Sequence, residues 1–170
     1  MKKQLCIITA ISVFFFSSCK KDPLDIPLGS VSASVNGNKI TFNVQSKAVR
    51  SNMGSNYILT IEGYKKDPSA SSTKMKLTLT SLNPISSGTF TETATSGGAV
   101  ARIDFFQELI FGYGTSYTSY GSSFNPVIIT ITELTGNTVK GTYKGELSVP
   151  IAGGAGEKIL LKDGIFNVSF

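Results

Sequence analysis

Apolar and polar residues alternate along most of this chain. A two-residue period puts every second side chain on one face of an extended strand. Val31, Ala33 and Val35 alternate with Ser32 and Ser34, and Ile40, Phe42 and Val44 alternate with Thr41 and Asn43. Asn36-Gly37 stands between the two runs. That pair is the strongest short hairpin signal, because both residues accept the positive φ of a type I′ turn. A two-residue loop there sets Ala33 opposite Ile40 and Val31 opposite Phe42, with all four on one buried face.

The pattern repeats further on. Residues 57–64 carry Leu59 and Ile61 on one face. Residues 74–82 place Met75, Leu77 and Leu79 inward and Lys74, Lys76 and Thr78 outward. Residues 88–93 form a short strand around Phe90. Residues 99–111 fit two periods: Ile103, Phe106 and Ile110 match a helical face, whereas Ala101, Ile103, Phe105, Leu109 and Phe111 match a strand. The reading adopted is a strand running to about Gln107, which puts Arg102 and Asp104 on one face as an ion pair. Residues 127–134 and 139–149 flank Thr135-Gly136-Asn137-Thr138. A three-residue loop there, with Gly136 or Asn137 left-handed, pairs Ile131 with Gly141 and Ile129 with Tyr143. Residues 151–157, rich in Gly, read as a flexible loop. Residues 159–170 close the chain with Phe166, Val168 and Phe170 on one face, and Asp163-Gly164 marks a turn or bulge within them.

About eight to ten short strands, turn signals between them and no clear long helix define an all-β, antiparallel fold. Mostly local connections favour a meander. Periodicity alone leaves a β-sandwich and an up-and-down barrel both open.

The first nineteen residues follow a different rule. Met1-Lys2-Lys3 is a basic start, residues 5–16 are apolar except for Thr9 and Ser12, and Phe16-Ser17-Ser18-Cys19 follows. This order reads as a secretory signal ending in a lipobox. The apolar run is short of the roughly 20 residues that a membrane-crossing helix needs. Residues 1–18 are therefore expected to be removed and Cys19 to carry acyl chains on its sulfur and its amine. Each buried methylene contributes about 0.8 kcal/mol, and more than one chain is needed for stable anchoring. Residues 19–30, with two of the six prolines, read as the lipidated Cys and a tether. Residues 31–170 read as a single domain. Lys20 after the Cys suits transport to the outer membrane by analogy, with the domain on its periplasmic or surface-exposed face.

Composition narrows the chemistry. The chain has two cysteines and no histidine. Cys6 leaves with the signal and Cys19 is lipidated, so no disulfide and no thiol serve the domain. Histidine-based triads and His-ligated zinc are excluded, and no metal or other cofactor is expected. The formal charge of +5 drops by two when Lys2 and Lys3 leave. The remaining lysines are scattered and make no stripe that would track a phosphate backbone, so nucleic acid is not an expected partner.

Three stretches carry a likeness. They are Ser32-Ala33-Ser34-Val35-Asn36-Gly37-Asn38-Lys39 with Ile40-Thr41-Phe42, then Ile129-Thr130-Ile131-Thr132-Glu133-Leu134 with Val139-Lys140-Gly141-Thr142-Tyr143, and finally Lys162-Asp163-Gly164-Ile165-Phe166-Asn167-Val168. Over most of residues 30–170 the chain resembles a family of small Bacteroidota-type lipoproteins of uncharacterised function. That family usually has Phe where Tyr143 stands, which implies that at least one edge of the ring belongs to the core. The resemblance implies the fold and an envelope location, and it brings no catalytic residue.

Residues 111–126 are compositionally distinct, with Tyr113, Tyr117, Tyr120 and Phe124 set among Gly, Ser and Thr. Tyr-Ser-Gly loops suit recognition, because rings supply contact area at low entropic cost and hydroxyls adapt their hydrogen bonds. The four rings are the candidate ligand-binding loop, for a glycan or a protein partner. The alternative is a long connection whose rings cover a barrel mouth or a sheet edge. Glu62, Glu92, Asp104, Glu108, Glu133, Glu146 and Glu157 include no pair selected by spacing for glycoside hydrolysis. The expectation is a lipid-anchored envelope protein without catalysis, acting as a binding or interaction module. A purely structural component and a small integral barrel are the alternatives. Lys and Thr on the outward faces weigh against the last, since lipid demands apolar residues there.

Overall fold

Alternating sequence becomes alternating burial wherever a strand has one face on a core. In the computed structural model of the chain, residues 26–67, 72–93, 98–110, 113–119, 125–152 and 154–170 are described. Cys19, Tyr120 and Phe124 lie outside them. Eleven strands follow one another: β1 Ser30–Val35, β2 Asn38–Phe42, β3 Val44–Met53, β4 Asn56–Tyr64, β5 Lys74–Ser81, β6 Gly88–Thr91, β7 Val100–Ile110, β8 Tyr113–Thr118, β9 Ile128–Leu134, β10 Thr138–Ile151 and β11 Gly154–Ser169. No helix occurs among the described residues. The strands form one antiparallel sheet in the order β2-β1-β11-β10-β8-β7-β5-β4-β3, with β9 added to β10 and β6 to β9. The sheet curls into a half-barrel.

Most neighbours are consecutive, as in a meander, but the first and last strands also pair, with Val31 opposite Phe166. The two outermost strands, β2 and β3, are joined directly through Asn43. The chain thus runs from one edge of the sheet straight into the other. Along this crossing segment Ser46 donates a 2.7 Å hydrogen bond to the Phe42 carbonyl.

The first hairpin has the expected register, Val31 opposite Phe42 and Ala33 opposite Ile40, with Asn36 at φ 48° and Gly37 at φ 87°. Residues 100–110 are strand, which extends the expected end by three residues. The 135–138 turn departs from expectation. Leu134 pairs with Val139 and Glu133 with Lys140, whereas Ile131 pairs with Gly141 and Ile129 with Tyr143. The anticipated inner register is present, but a bulge at Thr132 produces it rather than a three-residue loop. The Thr132 hydroxyl donates to the Lys140 carbonyl at 3.1 Å. Neither Gly136 nor Asn137 has positive φ. The Thr135 hydroxyl holds the turn instead, accepting from the Asn137 and Thr138 N–H groups. Residues 151–157 are not a loop either: Ile151 pairs with Gly154 and Pro150 with Ala155, so β10 and β11 continue to a tight hairpin.

Strand β3 is an addition. Its residues are almost all exposed, with Ala48 its one fully buried side chain. A left-handed Gln45 (φ 48°) shifts its register against β4. An exposed edge strand with one apolar anchor has little alternation to read.

The concave side holds the core. Leu59, Ile61, Met75, Leu77, Leu79, Ile103, Phe105, Leu147, Leu161, Phe166 and Val168 are buried there with Val31, Phe42, Ile129 and Ile131. Phe42 meets Phe105 edge-on at 6.2 Å between ring centroids, and Phe105 stacks on Tyr117 at 6.1 Å. The rings of Phe166 and Tyr143 lie over glycines of the facing strand. Gly141 is opposite Phe166 and Gly164 is opposite Tyr143. A Cβ on Gly141 would collide with the Phe166 ring, and one on Gly164 with the backbone and ring of Tyr143. The bulge foreseen at Asp163-Gly164 is present, with Asp163 at φ 49°.

On the convex side, residues in register make a charged row. Lys47, Glu62, Lys76, Asp104 and Thr118 face one another in turn across β3, β4, β5, β7 and β8. The charges alternate in sign, which favours cross-strand neighbours.

Candidate functional site

The four aromatic residues of the expected loop do not make one site. Residues 113–118 are strand β8, paired with β7. Tyr113 stands 82% exposed, whereas Tyr117 is 4% exposed. Tyr117 turns inward opposite Phe105 and stacks on it. Burial, and the Glu157 carboxylate beside it, raise the pKa of the Tyr117 phenol. A buried ring is a core element, so the two described rings of the segment serve different ends.

The acidic residues are dispersed. Glu62 pairs with Lys47 at 3.6 Å, Glu108 with Lys66 at 3.9 Å and Glu146 with Lys158 at 2.7 Å. Asp104 takes both Arg102, at 2.9 Å, and the Thr118 hydroxyl, at 2.6 Å. Glu92 accepts the Val127 N–H at 2.9 Å. Among the described residues no group of three or more metal-ligating side chains gathers.

A ligand-sized cleft lies elsewhere, at the end of the half-barrel where β4, β7 and β10 begin. It follows from the inward rows of β3 and β4. In β3 the two-residue period that turns Ala48 into the core also turns Arg50 and Asn52 inward. In register across β4 stand Leu59, opposite Arg50, and Tyr57, opposite Asn52. The rows thus change from apolar to polar as they leave the core. These residues, with Pro84, Ile85, Ser86 and Ser87 and the 134–136 turn, enclose about 820 Å³. Ligand sites are typically about 300–1,000 Å³, apolar with a few convergent polar groups.

One wall is fixed by its own contacts. The Arg50 guanidinium donates a 2.7 Å hydrogen bond from Nη2 to the Thr135 carbonyl. Its Cζ lies 4.0 Å from the centre of the Phe170 ring. The Phe170 N–H in turn donates to the Asn137 carbonyl at 3.0 Å. Tyr57, at 38% exposure, offers an accessible ring and hydroxyl. Among the described residues the lining contains one cation and no carboxylate. It can hold a ligand by stacking, by amide and hydroxyl hydrogen bonds, and by the guanidinium. The signal for this site was the two-residue period of β3: once Ala48 is assigned inward, Arg50 and Asn52 follow.

No family model matches the chain, and neither does any curated protein or solved structure.

Proposed function

We propose that this chain is a lipid-anchored cell-envelope protein, held by Cys19 and acting as a non-catalytic binding module. Its ligand site is the Arg50–Tyr57 cleft. The observation that carries the reading is a ligand-sized cleft whose lining converges Arg50, Asn52, Tyr57, Ser86 and Thr135 without a carboxylate. The ligand class that suits it is a neutral or anionic polyol such as a glycan, which presents hydroxyls to the polar groups and a flat face to Tyr57. Resemblance to small Bacteroidota-type lipoproteins belongs to the same proposal, as does residence in the outer membrane. The alternating charges of the convex row favour a water-facing domain over an integral barrel, whose outer band must be apolar.

A glycan array probed with the mature chain and with Tyr57→Ala and Asn52→Ala tests the binding role. Saturable binding that both substitutions weaken supports it. Silence of the parent chain across the array, with its fold intact by circular dichroism, leaves the structural-component reading as the better one. Mass spectrometry of the native polypeptide tests the anchor, which predicts loss of residues 1–18 and acyl chains on Cys19.

A further inference from the structure

We infer that the cleft-bearing end of the half-barrel docks on the lipid bilayer surface, so that the cleft opens toward the headgroups. The inference rests on the proposed anchor at Cys19.

The first observation is where the N-terminal segment meets the domain. The Asn167 side-chain amide donates to the Ile26 carbonyl at 2.9 Å. The Gly29 N–H donates to the Asn167 carbonyl at 2.8 Å. Asn167 lies three residues before Phe170, whose ring carries Arg50 at the cleft. Ile26 is therefore held at the cleft end. Seven Cα steps separate it from Cys19, a reach of at most about 25 Å even when fully extended. The opposite end, where β1 turns into β2 and β10 into β11, is farther from the anchor by the length of the strands.

The second observation is the distribution of exposed apolar side chains. Nine large ones stand exposed among the described residues, and five of them ring this end: Leu28, Met53, Tyr57, Leu82 and Phe170. Met53 sits at the β3–β4 hairpin and pairs with Asn56. Leu82 directly follows Ser81, which pairs with Tyr57. Exposed apolar side chains gathered at one end of a domain mark an interaction surface. An amphipathic surface of this kind sinks its apolar groups about 5–10 Å into the headgroup region. The cleft inside the rim has Arg50 and no carboxylate, so an anionic leaflet does not repel it. The far end exposes three, Leu109, Tyr113 and Ile151.

The chain has no tryptophan, so a single introduced indole reports its own position. The acylated protein is reconstituted into vesicles of phosphatidylethanolamine and phosphatidylglycerol with brominated acyl chains, which quench tryptophan on contact. Three variants are compared, Met53→Trp, Leu82→Trp and Tyr113→Trp, each first shown to keep the parent's urea midpoint. The two rim positions guard against failure of either one to fold. The expected result is a blue shift and loss of most emission at the rim positions, with Tyr113→Trp unchanged. Quenching at Tyr113→Trp, or at no position, overturns the docking. Mass spectrometry of the same preparation separates the two claims. Acylated Cys19 with unquenched rim tryptophans defeats the docking alone, whereas an unmodified Cys19 defeats the anchor and the docking together.

Discussion

Replacing Tyr143 by Phe should make this domain more stable. The ring is 2% exposed and stacks on Phe166 at 6.5 Å between centroids. Its hydroxyl oxygen is buried with no hydrogen-bond partner. Burying such a group unpaired costs about 1–3 kcal/mol in proteins. Removing one oxygen leaves a void of about 10 Å³, which costs about 0.2 kcal/mol at the usual ~24 cal/mol per Å³. The difference is a gain of about 1–3 kcal/mol. For a domain of this size that corresponds to about 3–9 °C in Tm. Urea unfolding measures it as a higher midpoint at unchanged slope.

The same burial raises the phenol's pKa far above its ordinary value of 10.0. The folded state therefore resists ionisation that the unfolded chain undergoes. Stability from this group is complete below pH 10 and falls as pH climbs above it, by up to about 1.4 kcal/mol per pH unit. Tyr143→Phe should lose that share of the alkaline decline. It should keep a smaller one from Tyr64 and Tyr117, whose phenols are also raised by burial. A variant less stable than the parent at pH 7, with an unchanged alkaline limb, would refute the reasoning and show that the hydroxyl is satisfied in solution.

The other substitutions act on the fold and the cleft wall. Gly164→Ala should cost about 1–3 kcal/mol by overpacking against the Tyr143 backbone and ring, and in a double-mutant cycle by urea unfolding it should cost less in a Tyr143→Ala background, where the ring part of the clash is gone. Arg50→Ala removes an exposed cation–π contact worth about 0.5–1 kcal/mol and a hydrogen bond of similar size. It should lower stability by about 1–2 kcal/mol, and Arg50→Lys should restore less than half, because an ammonium lacks the flat guanidinium that lies on Phe170.

Much of the fold was legible because the sheet has one wet and one dry face. The first hairpin, the inward triplets of β5 and β7 and the Asp163-Gly164 bulge all leave a period-two or turn signature. The rest depended on contacts distant in sequence. The bulge at Thr132 mimics the register of a longer loop, so the alternation of β9 and β10 alone selects the right pairs for the wrong turn. Tyr117 carries the same polar neighbours as an exposed recognition residue, and only its pairing with Phe105 shows that it belongs to the core. The candidate site was hidden with β3, since an edge strand needs one buried anchor and Ala48 is too small to announce it. Arg50 then reads as one more surface cation until Phe170, 120 positions later in the chain, is placed beneath it.

The pairing of β1 with β11 has a consequence for how the polypeptide is made. Ser30 finds Asn167, so the first strand waits for nearly the last residues before it gains its second neighbour. A chain threaded amino end first through a narrow export pore could not complete this closure midway. The β1–β11 seam would form only once the carboxyl end had emerged, after the local pairs β3–β4, β4–β5 and β7–β8 had their partners at hand.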